Sequence, residues 1–231
     1  MKISGINSIS EALKSGVVNR IYVDKNFRNP RIKGIIDAAR KRGIPVIYAK
    51  NLPRDSKGIV ADVSPIRYVD FNNLIEKCLR LNSFLLFFDS VENPGDMGSM
   101  IRSAEFFGCC GVVIPKRRCV QISDSVAKSS AGAVLHVDVS RVENMASALK
   151  KVKKYGISVI GIDLDGDKIE NVDMTPPLAI VLGDGGISKP VRKQCDFLAR
   201  IGGKGKVRGL DLPVVCGIVL FELNRRLVDE G

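Results

Sequence analysis

Phe88-Asp89-Ser90-Val91-Glu92-Asn93-Pro94-Gly95-Asp96-Met97-Gly98-Ser99-Met100-Ile101-Arg102 joins an apolar strand to a helix through a Pro-Gly turn. Phe84–Phe88 is apolar throughout, the pattern of a strand covered on both faces of a sheet. Met97, Met100, Ile101 and Ala104 recur at helical spacing, so a helix is predicted over Met97–Phe107, with Arg102 off its apolar stripe. Such a junction aims backbone donors and one guanidinium at whatever lies beyond the strand's carboxyl end, where ligands of α/β folds bind. A structural reading also fits, with Asp96 capping the helix and Arg102 a solvated charge.

Working outward, the same rhythm repeats. Strands are predicted at Phe84–Phe88, Gly111–Pro115, Ser158–Ile162, Leu178–Leu182 and Phe197–Ile201, and helices at Met97–Phe107, Val142–Tyr155 and Leu212–Val228. Apolar strands alternating with helices predict an α/β fold, a parallel sheet with helices on both faces. Towards the N-terminus the elements are shorter: a helix over residues 5–16, a strand at Arg20–Asp24, a helix at Pro30–Arg42, and strands at Pro45–Tyr48 and Gly58–Val63. The expected division is a small α/β unit over 1–64, a linker over 65–82 carrying a helix at Phe71–Leu81, and a larger unit over 83–231. The single His136 lies in an apolar alternation, Val134 to Val139, and is expected on a strand.

The 231 residues carry 36 Lys and Arg against 25 Asp and Glu, a formal charge of +11. Clusters such as Arg40-Lys41-Arg42, Lys116-Arg117-Arg118, Lys150-Lys151 with Lys153-Lys154, and Lys204, Lys206 and Arg208 point to a polyanion, nucleic acid above all. The alternative is a merely solvated basic surface. No run of eighteen apolar residues exists, so no membrane span is expected. The N-terminus lacks a signal-peptide core, so the expected location is the cytoplasm. Six cysteines without a C-x-x-C pair, beside one histidine, predict no metal site and a reducing compartment. Ser-His-Asp and Cys-His catalysis are poorly supported for the same reason.

Two further segments carry chemistry. Leu178–Leu182 empties into Gly183-Asp184-Gly185-Gly186, a turn that lets a ligand approach the backbone, or simply a tight turn. It lacks dinucleotide and P-loop spacings. Ile201-Gly202-Gly203-Lys204-Gly205-Lys206-Val207-Arg208-Gly209-Leu210-Asp211 then precedes a long helix. It reads as a basic loop, with Pro213 starting the helix and Asp211 favouring its N-terminus.

In order and spacing, these three segments resemble the signature motifs of the SpoU-type (TrmH-like) RNA 2′-O-ribose methyltransferases of the knotted SPOUT superfamily. Gly5-Ile6-Asn7, Glu11-Ala12-Leu13, Arg42-Gly43-Ile44-Pro45-Val46 and Gly58-Ile59-Val60-Ala61 resemble the ribosomal-protein-like substrate domain that precedes the catalytic domain in many of these enzymes. The resemblance implies a trefoil knot, S-adenosyl-L-methionine as cofactor, RNA as substrate (rRNA ahead of tRNA), and a homodimer. It implies catalytic roles at Arg102, Asp96 and Asp211, and cofactor contacts at Leu182, Gly183, Asp184, Ile201, Gly203 and Leu210. The family usually has Asn at the Asp96 position, Glu at Asp184 in a loop two residues longer, and Ser-Leu-Asn where this chain has Gly209-Leu210-Asp211. Asp211 could accept a proton directly, a role Asn cannot fill. Two alternatives follow from these departures: an RNA-binding relative that lost catalysis or cofactor, and a divergent branch acting on another RNA position.

Overall fold

The computed structural model describes residues 1–26, 29–64, 66–207 and 209–229, so Arg208 of the last basic cluster lies outside the described residues. In chain order the elements are β1 (Lys2–Ser4), α1 (Ile6–Lys14), β2 (Val18–Asp24), α2 (Pro30–Lys41), β3 (Val46–Ala49), β4 (Ile59–Val63), α3 (Phe71–Leu81), β5 (Phe84–Asp89), α4 (Pro94–Phe106), β6 (Gly111–Pro115), α5 (Asp124–Ser129), β7 (Val139–Val142), α6 (Met145–Lys154), β8 (Ser158–Lys168), β9 (Leu178–Gly183), α7 (Lys189–Arg192), β10 (Phe197–Arg200) and α8 (Leu212–Asp229).

They build two sheets, a four-stranded mixed one in the order β1-β4-β2-β3 and a six-stranded parallel one in the order β10-β8-β9-β5-β6-β7. Side chains alternate across a strand, and β5 divides accordingly. Phe84, Leu86 and Phe88 pack with Met97, Val126 and Cys216 from α4, α5 and α8. Leu85 and Phe87 pack on the other face with Leu74 and Leu149 from α3 and α6. The predicted parallel sheet with helices on both faces is therefore what forms.

Four sequence-based expectations change. Val139–Val142 is a strand, β7, pairing with β6, and the next helix starts only at Met145, where the Asn144 side chain accepts a hydrogen bond from the Ser147 amide at 2.9 Å. The edge strand is short, and its Val-Ser-Arg-Val pattern ran into the helical one. His136 is not on a strand: Ala131 and Gly132 adopt positive φ, a 3-10 turn covers Ala133–Leu135, and His136 ends it with Nε2 3.0 Å from Glu11 Oε2. The strand predicted to stop at Ile162 continues to Lys168. Asp96 does not cap α4; Asn93 does.

α8 is tied to the 3-10 turn after β8 through Arg226, which donates to the Val172 and Ile169 carbonyls at 2.6 and 2.7 Å. The Arg225 and Arg226 guanidiniums beside Glu222 hold its carboxyl down at about 2, from an ordinary 4.5. A carboxylate with a depressed folded pKa stabilises above its unfolded pKa, and the gain disappears as pH falls through the folded value. Glu222→Gln is expected to flatten the fall in stability between pH 4.5 and about 2, followed by urea melts across that window. A variant whose acid limb overlays the wild type would refute this.

Candidate active site

The site is built from the carboxyl ends of β5, β8, β9 and β10. After β5 the Asn93 side chain accepts from the Gly95 amide at 2.7 Å, and Pro94, whose fixed φ suits a first helical position, opens α4. That puts Asp96 in the first turn. The turn is held from α5, where Ser129 Oγ donates to the Pro94 carbonyl at 2.9 Å. Gly98 permits the approach, since a Cβ there would lie 1.9 Å from Ser129 Oγ.

At the end of β9, Gly183 sits beneath the turn it starts. The Gly186 amide donates to its carbonyl at 3.2 Å, and a Cβ on Gly183 would lie 2.7 Å from the Gly186 carbonyl oxygen and 2.9 Å from that of Asp89. The Asp89 side chain, 6% exposed, accepts from the Ser188 amide at 2.9 Å and so pins the far end of the loop to β5.

β8 supplies a feature that the sequence reading missed. Leu198 of β10 pairs with Gly161, but the next residue, Ala199, pairs with Asp167. Residues 162–166 are thus an outward excursion of the strand over the sheet end. Gly166 closes it against the Leu198–Ala199 peptide, where a Cβ would come within 2.6 Å of backbone. The excursion carries Asp163 and Asp165 to Arg192, at 3.4 and 3.2 Å. Asp163 Oδ2 faces the Gly185–Gly186 turn, 3.7 Å from where a Gly186 Cβ would stand. The available signal was Asp-Gly inside a strand, a mark of a bulge.

These pieces, with residues 200–207 and 209–215, line a cleft of about 1220 Å³. Asp96, Leu182, Gly183, Asp184, Ile201, Gly203, Leu210 and Asp211 all line it. Arg102 does not: its side chain is exposed on α4, outside the lining, and makes no hydrogen bond or ion pair among the described residues. Asp211 sits at the start of α8, its carbonyl accepting from the Val214 and Val215 amides at 2.9 and 3.0 Å. Missed lining residues are Asp163, Asp165 and Arg200. Burial pushes the Cys119 thiol up to about 11 and the Cys216 thiol up to about 12, so both are protonated at neutral pH and are poor nucleophiles.

S-adenosylmethionine, a cationic cofactor with an apolar-faced base, fits this donor set. Ile162, Leu182, Ile201 and Leu210 offer apolar wall. The crowding at Gly183 shows that the turn closes directly on β5, which leaves no room for a side chain between the loop backbone and the strand end. Beyond Asp163 and Asp165, which Arg192 pairs, Asp96, Asp184 and Asp211 stand against Arg200 and Lys206 along the lining, a small excess of negative charge that suits a cation.

The SpoU rRNA Methylase family matches residues 83–221, and the family described as RNA 2′-O ribose methyltransferase substrate binding matches residues 2–51. A protein of Archaeoglobus fulgidus named as an uncharacterized tRNA/rRNA methyltransferase is 48% identical over 228 residues, covering 98% of this chain and 99% of that protein. The 23S rRNA (guanosine-2′-O-)-methyltransferase RlmB of Coxiella burnetii is 30% identical over 237 residues, covering 97% and 95%. The SpoU methyltransferase AviRb from Streptomyces viridochromogenes, solved in complex with AdoMet, superposes with a TM-score of 0.82 over 99% of this chain and 91% of that one, at 22% identity, a likeness of fold.

Proposed function

The chain belongs to the SpoU rRNA methylase family, and we infer from this that it transfers a methyl group from S-adenosyl-L-methionine to a ribose 2′-oxygen of RNA. One observation carries the reading to particular residues: eight residues from three separated motifs line a single cleft at the carboxyl end of a parallel sheet. Bound S-adenosylmethionine supplies a methyl group on a sulfonium, so the hard chemistry is the cofactor's. Leu182, Gly183, Asp184, Ile201, Gly203 and Leu210 hold it in this proposal. The protein's task is to fix the ribose oxygen in line, and positioning of this kind supplies about 7–11 kcal/mol in favourable cases.

Arg102 orients the ribose-phosphate unit. A guanidinium has no lone pair free to take a proton in water and serves as no base, so its contribution is electrostatic. Asp211 or Asp96 accepts the proton that the 2′-hydroxyl loses. Arg102 lies outside its own chain's cleft, on a helix whose end carries Phe106, 78% exposed, and which packs on α8 with Phe221, 58% exposed. These apolar surfaces support a homodimer in which α4 and α8 meet a second copy.

In the same reading residues 1–64 dock RNA, 65–82 connect, 83–231 catalyse, and the last segment threads a trefoil knot. rRNA is favoured over tRNA because of the likeness to RlmB. No helix among the described residues is long and apolar enough to cross a membrane. The described cysteines are all unbridged, which supports a cytoplasmic setting.

Isothermal titration with S-adenosylmethionine, alone and with RNA, tests the function. Micromolar binding is expected, followed by label transfer from methyl-labelled cofactor to ribose 2′-oxygens. Absence of binding at millimolar cofactor in both titrations would leave an RNA-binding relative without catalysis.

A further inference from the structure

Arg117 and Arg118 are exposed on the turn that follows β6, and neither makes a hydrogen bond or ion pair among the described residues, whereas Lys116 beside them is paired with Glu143. The turn is held unusually firmly for a surface loop. Gln121 Nε2 donates to both the Pro115 and Cys119 carbonyls at 3.0 Å, closing it from inside, while Gln121 Oε1 is buried with no partner among the described residues. The Val120 amide donates to the Val91 carbonyl at 2.7 Å, joining the turn to the loop that opens α4. The Ile122 amide donates to Tyr68 Oη at 3.1 Å, and Arg141 stacks 4.0 Å over that ring. Arg118 itself is in the left-handed region at φ 59, which a non-glycine residue adopts at a cost.

Tied from inside by Gln121, to the loop before α4 by Val120 and to Tyr68 by Ile122, the turn is a rigid platform that displays two guanidiniums making no hydrogen bond or ion pair among the described residues, Arg117 near the Lys116-paired Glu143. β6 lies next to β5, and β5 next to β9. Two strand spacings, about 10 Å, therefore separate the turn from the Gly183 end of the cleft, with the first turn of α4 between them.

We propose that Arg117 and Arg118 form a phosphate clamp that fixes the RNA strand beside the nucleotide entering the cleft. The proposal rests on the RNA methyltransferase reading. Planar guanidiniums match phosphate oxygens in pairs, and a clamp of this kind positions the strand without reading sequence.

The test is the salt dependence of binding to a labelled single-stranded RNA of mixed sequence, between about 50 and 200 mM salt. Each neutralised phosphate contributes about 0.7 to the slope for single strands, so Arg117→Gln with Arg118→Gln is expected to lower its magnitude by about 1.4. S-adenosylmethionine affinity of the double variant, read by calorimetry, stays at the wild-type value and shows that the fold is intact. Arg80→Glu changes the net charge by the same two units at an exposed position on α3 just before β5, at the opposite, amino end of the strands, and is expected to leave the slope unchanged. An unchanged slope in the Arg117/Arg118 variant overturns the clamp alone. An equal loss in the control overturns it as well, because net charge and not position would then decide. A wild-type protein that binds no RNA overturns the clamp together with the reading on which it rests.

Discussion

Arg102→Ala is expected to lower kcat/KM for RNA methylation by about 10²–10³, the cost of removing one charge-stabilising donor from an active site, while S-adenosylmethionine affinity is unchanged. The split follows from placement. The guanidinium is exposed, has no hydrogen bond or ion pair among the described residues, and is absent from the cofactor cleft of its own chain, so its removal disturbs neither packing nor pocket. What it can touch is the RNA. Arg102→Lys should restore little, because a point charge does not reproduce the planar fork that grips ribose-phosphate oxygens. Single-turnover methylation beside calorimetric titration separates the two effects. Full activity in the alanine variant would remove Arg102 from the mechanism. Loss of cofactor affinity in step with activity would assign it to the pocket instead.

Gly183→Ala is expected to lower the methylation rate about 10²-fold, the size of loss that an ångström-scale misplacement brings, and to weaken cofactor binding with it. The added Cβ would lie 2.7 Å from the Gly186 carbonyl oxygen and 2.9 Å from the Asp89 carbonyl oxygen, both backbone atoms that cannot swing away. Relief requires the whole Gly183–Ser188 loop to lift from β5, and the Asp89 hydrogen bond to the Ser188 amide resists that movement. Thermal unfolding provides a second readout. A ligand at 100 times its Kd stabilises the native state by about 2.7 kcal/mol, so the wild type should melt measurably higher with saturating cofactor. The variant should keep its far-ultraviolet dichroism but lose most of that gain. A full cofactor-induced shift in Gly183→Ala would show that the loop adapts and that its tight turn is incidental.

Much of this fold is legible one segment at a time. Phe84–Phe88 reads as a strand because both of its faces are apolar, and both meet helices. Phe71–Leu81 reads as a helix with those bounds because Leu74, Ile75 and Cys78 share one face, and all three are buried. The parallel sheet and the residues of the two Gly-rich loops follow from such local patterns, since period and turn chemistry act over a few residues, whereas the short strands β1 and β7 at the sheet edges do not. Asp96 shows where local reading stops: Asp and Asn both cap helices, and only the structure shows Asn93 taking the Gly95 amide.

By itself, then, the sequence determined the alternation of strands and helices, the basic charge, and the three segments that meet at the cleft. The tertiary structure alone decided how those segments meet. It placed Asp163 over the glycine turn through a strand excursion closed by Gly166, tied that turn to Asp89 across 99 residues of chain, and left Arg102 outside the cleft. The physical reason is range. Backbone propensity and side-chain periodicity are set by near neighbours, whereas a buried carboxylate's partner, a glycine's crowding atoms and the facing of a surface arginine depend on chain brought in from far away.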